Sequence, residues 1–109
     1  IDMTFIDKDD TVKYFNQAPD RVFVRSASVI GRTVQNCHPP RSVGTVESML
    51  EDFKSGKSKS ESFWIQMGEK FIHISYYAIF NDTNEYIGTL EVSHDVKQYR
   101  DLEGEKRLK

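Results

Sequence analysis

The 109 residues suit one small domain, and with 38% hydrophobic and 29% charged residues they exclude a disordered chain. A net charge of -2 gives no sign of a general nucleic-acid binder, and no apolar run approaches the roughly 18 residues of a membrane span. The single cysteine excludes an internal disulfide and fits a reducing, cytoplasmic setting.

The chain opens on Ile1 and reads as strand almost at once, so the expectation is a piece of a longer protein. MTFIDKDDTVKYFNQ reads as a hairpin, with runs rich in Phe, Ile, Val and Tyr flanking the polar turn Lys8-Asp9-Asp10. QAPDRVFVRS is too short for a helix, and Pro19 fits only near a helix start. Gly31 in SVIGRT marks a turn. PPRSVGTVESMLEDFKSG is the strongest helical stretch, because Val43, Val46, Met49, Leu50 and Phe53 follow helical spacing. Ser42 is its candidate N-cap and Gly56 its candidate stop. Lys54 to Lys59 read as a solvated loop. FWIQMGEKFIHISYYAIF is a second hairpin turning at Gly68-Glu69, and a turn at Asn81 to Asn84 leads into a fifth strand. The tail KQYRDLEGEKRLK is helix-like, with Gly104 inside it and Glu103 and Arg107 at i,i+4 spacing.

A two-residue turn fixes the register of the second hairpin. Met67 then pairs with Lys70, Ile65 with Ile72, Trp64 with His73, and Phe63 with Ile74. One face carries Phe63, Ile65, Ile72, Ile74 and Tyr76; the other carries Trp64, Phe71, His73 and Tyr77. A sheet apolar on both faces needs a cover on each, and the long helix supplies only one. The second cover is expected to be a flanking helix, another domain or a second subunit.

Two strands, short helical pieces, one longer helix and three strands is the order of a PAS domain, and particular stretches add to it. FIDKDDTVKYFNQAPDRVF resembles the opening PAS hairpin and the asparagine after it. VIGRTVQNCHPP resembles the Ile-Gly-Arg segment leading into the main helix, and EYIGTLEVSHDV resembles the last strand, with Asp95-Val96 where Asp-Ile-Thr usually closes the domain. VQNCHPP, FWIQMG and GTLEV are similar to PAS domains found C-terminal in bacterial and archaeal proteins that carry a hemerythrin-like domain. The resemblance implies an α+β PAS fold over residues 1–95, a five-stranded antiparallel sheet with helices on one face, and a helical tail over 96–109. It implies sensing and protein contact, not catalysis, in a module that works as a homodimer or against covalently linked domains. The face with Ile72, Ile74 and Tyr76 would point into a cavity, joined by Phe63, Ile65, Tyr86, Leu90 and Val92, while the helix adds Val46, Met49 and Phe53. Trp64, Phe71, His73, Tyr77 and Ile87 would form the interface face.

The adjacent Cys37 and His38 are the residues that most resemble a chemical site. As metal ligands they lack partners: His73 and His94 are the remaining imidazoles, expected on opposite faces of neighbouring strands. As a nucleophile–base pair they lack an orienting third residue. The competing reading is structural, with Pro39 and Pro40 directing the chain into the helix, Cys37 a small buried residue, and His38 at a cavity edge. Haem is an alternative resting on His38 alone, since the helix contains no histidine. Flavin is disfavoured: Ile72 and Leu90 stand at the positions that hold the ring in light-sensing relatives, and neither has a donor. The expected lining is apolar, with Tyr76 as polar handle. It is either a closed core in a docking domain or a site for a small, mostly apolar ligand.

Overall fold

The structure, a computed structural model, describes residues 1–19 and 21–108; the side chain of Cys37 also lies outside the description, and with it the reading of that residue as buried. Strand β1 (Asp2–Asp7) turns into β2 (Val12–Phe15). The Asp7 carboxylate accepts the Asp9 and Thr11 amides at 2.9 and 3.1 Å, and Asp10 takes a left-handed φ of 63°. Asn16 then ties the chain back to β1: its side chain accepts the Met3 amide and donates to the Ile1 carbonyl, both at 2.8 Å.

After 3-10 turns at Ala27–Val29 and Val34–Cys37 comes helix α1 (Pro40–Ser55). Pro40 opens it, where a missing N–H costs nothing. The expected cap is displaced: Pro39 holds the N-cap position, no side chain caps it, and Ser42 lies in the first turn. Gly56 ends the helix at φ 79°. Lys54, expected in a solvated loop, belongs to the last turn and lies 2.9 Å from an Asp10 carboxylate oxygen.

Strands β3 (Ser60–Met67), β4 (Lys70–Phe80) and β5 (Tyr86–Asp95) complete an antiparallel sheet of order β2-β1-β5-β4-β3. The β3–β4 register is the one read from the two-residue turn, pair for pair from Met67↔Lys70 to Phe63↔Ile74. On β5 the expectation fails after Tyr86. Tyr86 pairs with Phe80, but Gly88 pairs with Ile79, so Ile87 is an extra residue. From there the alternation is inverted. Thr89, Glu91 and Ser93 face the helix opposite Ala78, Tyr76 and Ile74, while Leu90 and Val92, expected in the cavity, lie on the other face opposite Tyr77 and Ser75.

The core is off-centre. Ile6, Val12 and Val34 pack with Val46, Met49, Leu50 and Phe53 of α1, so the helix seats on the β2-β1-β5 part of the sheet. The inner faces of β4 and β3 extend beyond it, and every residue of β3 is exposed. After β5, Asp95 accepts the Phe71 and Lys97 amides and ends the sheet. The expected helical tail is a single 3-10 turn, Lys97–Tyr99, followed by irregular chain with Gly104 at φ 64°; Lys109 lies outside the described residues. No described helix is long and apolar enough to cross a membrane.

Candidate ligand cavity

Because α1 covers only part of the sheet, a cavity of about 640 Å³ remains between its N-terminal half and strands β3 and β4. Phe63 of β3 with Ile74 and Tyr76 of β4 form its floor. Val46 and Met49 of α1 form one wall, and Thr45, Ser42 and Arg41 rise toward its mouth. The segment before the helix closes the other side with Phe23, Arg25, His38 and Pro39.

Charge enters from β5 and that segment. Glu91 lines the cavity because of the Ile87 bulge, and it pairs across the sheet with Tyr76. The Arg25 guanidinium approaches the Glu91 carboxylate to 3.6 Å, both side chains being largely buried. Burial raises the pKa of Glu91, against the opposing pull of Arg25, His38 and Arg21. Burial also pushes the Tyr76 phenol far above its usual range, reinforced by the Glu91 charge and by its hydrogen bond to that carboxylate. His38 is oriented by its own turn: Nδ1 lies 3.0 Å from the Val34 carbonyl, which can only accept, so Nδ1 carries the proton. In the neutral ring this leaves Nε2 as an acceptor.

His38, Val46, Met49, Phe63, Ile74 and Tyr76 are therefore brought together as expected. Phe53 is fully buried in the core beneath the helix, and Ile72 is fully buried outside the cavity lining. Ile65 shares the inward parity but is 42% exposed beyond the helix, and Leu90 is on the outer face. Arg25 and Glu91 were not legible. Arg25 lies in a segment without periodicity, and the bulge that turns Glu91 inward leaves no composition signal beyond Gly88.

On the outer face, Trp64, Phe71, His73 and Tyr77 share one side as expected. The tail covers part of it: Arg100 stacks on Phe71 at 4.0 Å, and Tyr99 meets the His94 ring at 5.6 Å. Trp64 remains 64% exposed, Tyr77 44% and Ile87 39%. His73 and His94 pair directly across β4 and β5, which corrects their placement on opposite faces; the inversion of β5 is again the cause. Among the described residues no group of three or more His, Cys, Asp or Glu is arranged to hold a metal.

A family model described as PAS domain matches residues 1–97, and the chain belongs to the PAS domain family. A solved C-terminal domain of a protein from Streptococcus mutans is 32% identical, with a TM-score of 0.84 over 94% of this chain and 80% of that one. A sensory box sensor histidine kinase from Vibrio cholerae is 12% identical, with a TM-score of 0.66 over 87% of this chain and 80% of that one. The Aer2 receptor from Vibrio cholerae, described as a dual PAS-heme oxygen sensor, is 15% identical, with a TM-score of 0.61 over 87% of this chain and 93% of that one. The last two share the fold alone. No curated protein matches the chain.

Proposed function

We propose that this PAS domain is a cytoplasmic sensory module that binds a small ligand between α1 and the sheet and signals through the outer sheet face. Its partners there are a second copy of the chain or covalently linked domains, a hemerythrin-like domain among them, and the module binds rather than catalyses. The observation that carries the reading is the cavity of about 640 Å³, a size typical of small-molecule sites. A docking domain with a filled core would have no use for that volume.

The architecture supplies a route from cavity to surface. Val46 and Met49 belong both to the cavity wall and to the core that seats α1, so an occupant bears on the helix packing. Strand β4 alternates Ile74 and Tyr76 inside with His73 and Tyr77 outside, so a shift of the strand reaches both faces. A ligand changes the outer contacts only insofar as it binds one packing better than another.

Native mass spectrometry of the domain purified from cells tests ligand binding. The expected result is a bound mass that is reduced or lost in Ile74→Trp, which crowds the cavity floor; a ligand-free mass alone in the wild type counts against the reading. His38 favours a second reading, haem sensing, because its ring is held through Nδ1 and Nε2 has no hydrogen bond among the described residues. Haem addition decides it: a Soret band abolished by His38→Ala would establish haem, and one that survives would exclude His38 as the ligand.

A further inference from the structure

We propose that the ligand is a small organic anion with an apolar body, its acid group held by Arg25 and Arg41. This rests on the cavity being a ligand site and adds the chemistry of what enters it. Two arginines behave differently on the same side of the sheet. Arg21 is satisfied within the fold: Nε donates to the Asn16 carbonyl at 2.9 Å, Nη2 reaches the Met3 carbonyl at 3.2 Å, and the Asp2 carboxylate lies 3.7 Å away. Arg25 makes no hydrogen bond among the described residues. Its side chain is only 16% exposed, and its nearest acceptor, on Glu91, stands 3.6 Å off, beyond hydrogen-bond reach. Its guanidinium nitrogens are not among the buried atoms without a partner, so they open onto the cavity, where an acceptor on a ligand can take the place of water.

The charges around the cavity favour an anion as that acceptor. Arg25 and Arg41 set two guanidinium groups against the single Glu91 carboxylate, and His38 adds an imidazole. Arg41 has no ion pair or hydrogen bond among the described residues. Glu91 already faces the Arg25 guanidinium at 3.6 Å, so it is the weaker attractor for an incoming cation. The planar fork of arginine suits a carboxylate, which it can hold through parallel hydrogen bonds. Phe63, Ile74 and Met49 leave the remainder of the site apolar, which sets the character of the ligand body.

Matched probes separate head from body: 3-phenylpropanoate, 3-phenylpropanol and 3-phenylpropylamine, titrated calorimetrically into wild type, Arg41→Gln and Ile74→Trp. Arg41 is exposed, so its replacement leaves the fold intact. The acid should bind most tightly, and Arg41→Gln should weaken it by roughly tenfold or more while leaving the alcohol unchanged. Ile74→Trp, which crowds the apolar floor, should weaken binding of all three. An alcohol or amine that binds as tightly as the acid, or an equal loss for acid and alcohol in Arg41→Gln, overturns the anion while leaving the cavity reading standing. Acid binding as tight in Ile74→Trp as in the wild type places the anion away from the cavity floor and overturns the proposal. If none of the three binds, both readings fall.

Discussion

Glu91 lies among groups that pull its protonation both ways. Burial and the Asp2 charge favour the neutral acid, whereas Arg25, His38 and Arg21 favour the carboxylate, and burial prevails. The folded chain therefore holds this proton more tightly than the unfolded chain, whose carboxyl titrates near its ordinary value of 4.5. The resulting stabilisation is fully present below that value and is lost as pH rises through the elevated folded pKa. Urea unfolding of wild type and Glu91→Gln should accordingly show a stability difference that moves against the wild type as pH climbs from acid toward neutral. A difference that stays flat over that interval would remove burial as the dominant influence. At this scale Tyr76 and Ile74 could be placed from strand alternation, because the turn anchoring them is short. Arg25 could not, because an aperiodic segment carries no record of which way a side chain points.

The strands differ in how far their geometry was readable, and the difference has a local cause. The β3–β4 hairpin turns on two residues with Gly68 at φ 60°, and so short a turn leaves little freedom of register. Strand β5 contains the bulge at Ile87, and one extra residue sends Leu90 outward and Glu91 inward. Gly88, beside the bulge, faces β1, where it pairs with Asp7. A methyl group added there would collide with the Ile6 carbonyl and the Phe5 ring, and although the ring can rotate, the backbone oxygen cannot move alone. Gly88→Ala should cost about 1–3 kcal/mol in urea denaturation, the usual penalty of overpacking. An unchanged midpoint would mean that β1 and β5 separate freely at this point. Helix α1 was the most legible element, since its spacing named Val46, Met49, Leu50 and Phe53, all of which are buried. Its start was legible in Pro39 and Pro40, which set the boundary through backbone restriction, but not in Ser42, which only resembled a cap.

For the whole molecule, the decisive feature is that a helix of 16 residues cannot cover a five-stranded sheet. The uncovered inner part becomes the cavity, and the outer face keeps Trp64 and Tyr77 exposed beyond the reach of Tyr99 and Arg100. The apolar character of the outer face was visible in the sequence, because both faces of the second hairpin carry apolar residues. The volume of the cavity was not, since it depends on where the helix seats. On the proposal that the outer face pairs two copies, sedimentation should find the wild type dimeric and Trp64→Glu with Tyr77→Glu a folded monomer, charge being costly in an apolar contact. The central claim is that the cavity and the outer face are coupled, and sedimentation equilibrium of wild type against Ile74→Trp, which crowds the cavity floor, tests it most directly. The account predicts a dimer constant changed by about fivefold or more, the lower end of ordinary coupling between sites. Identical constants in two equally folded proteins would contradict it.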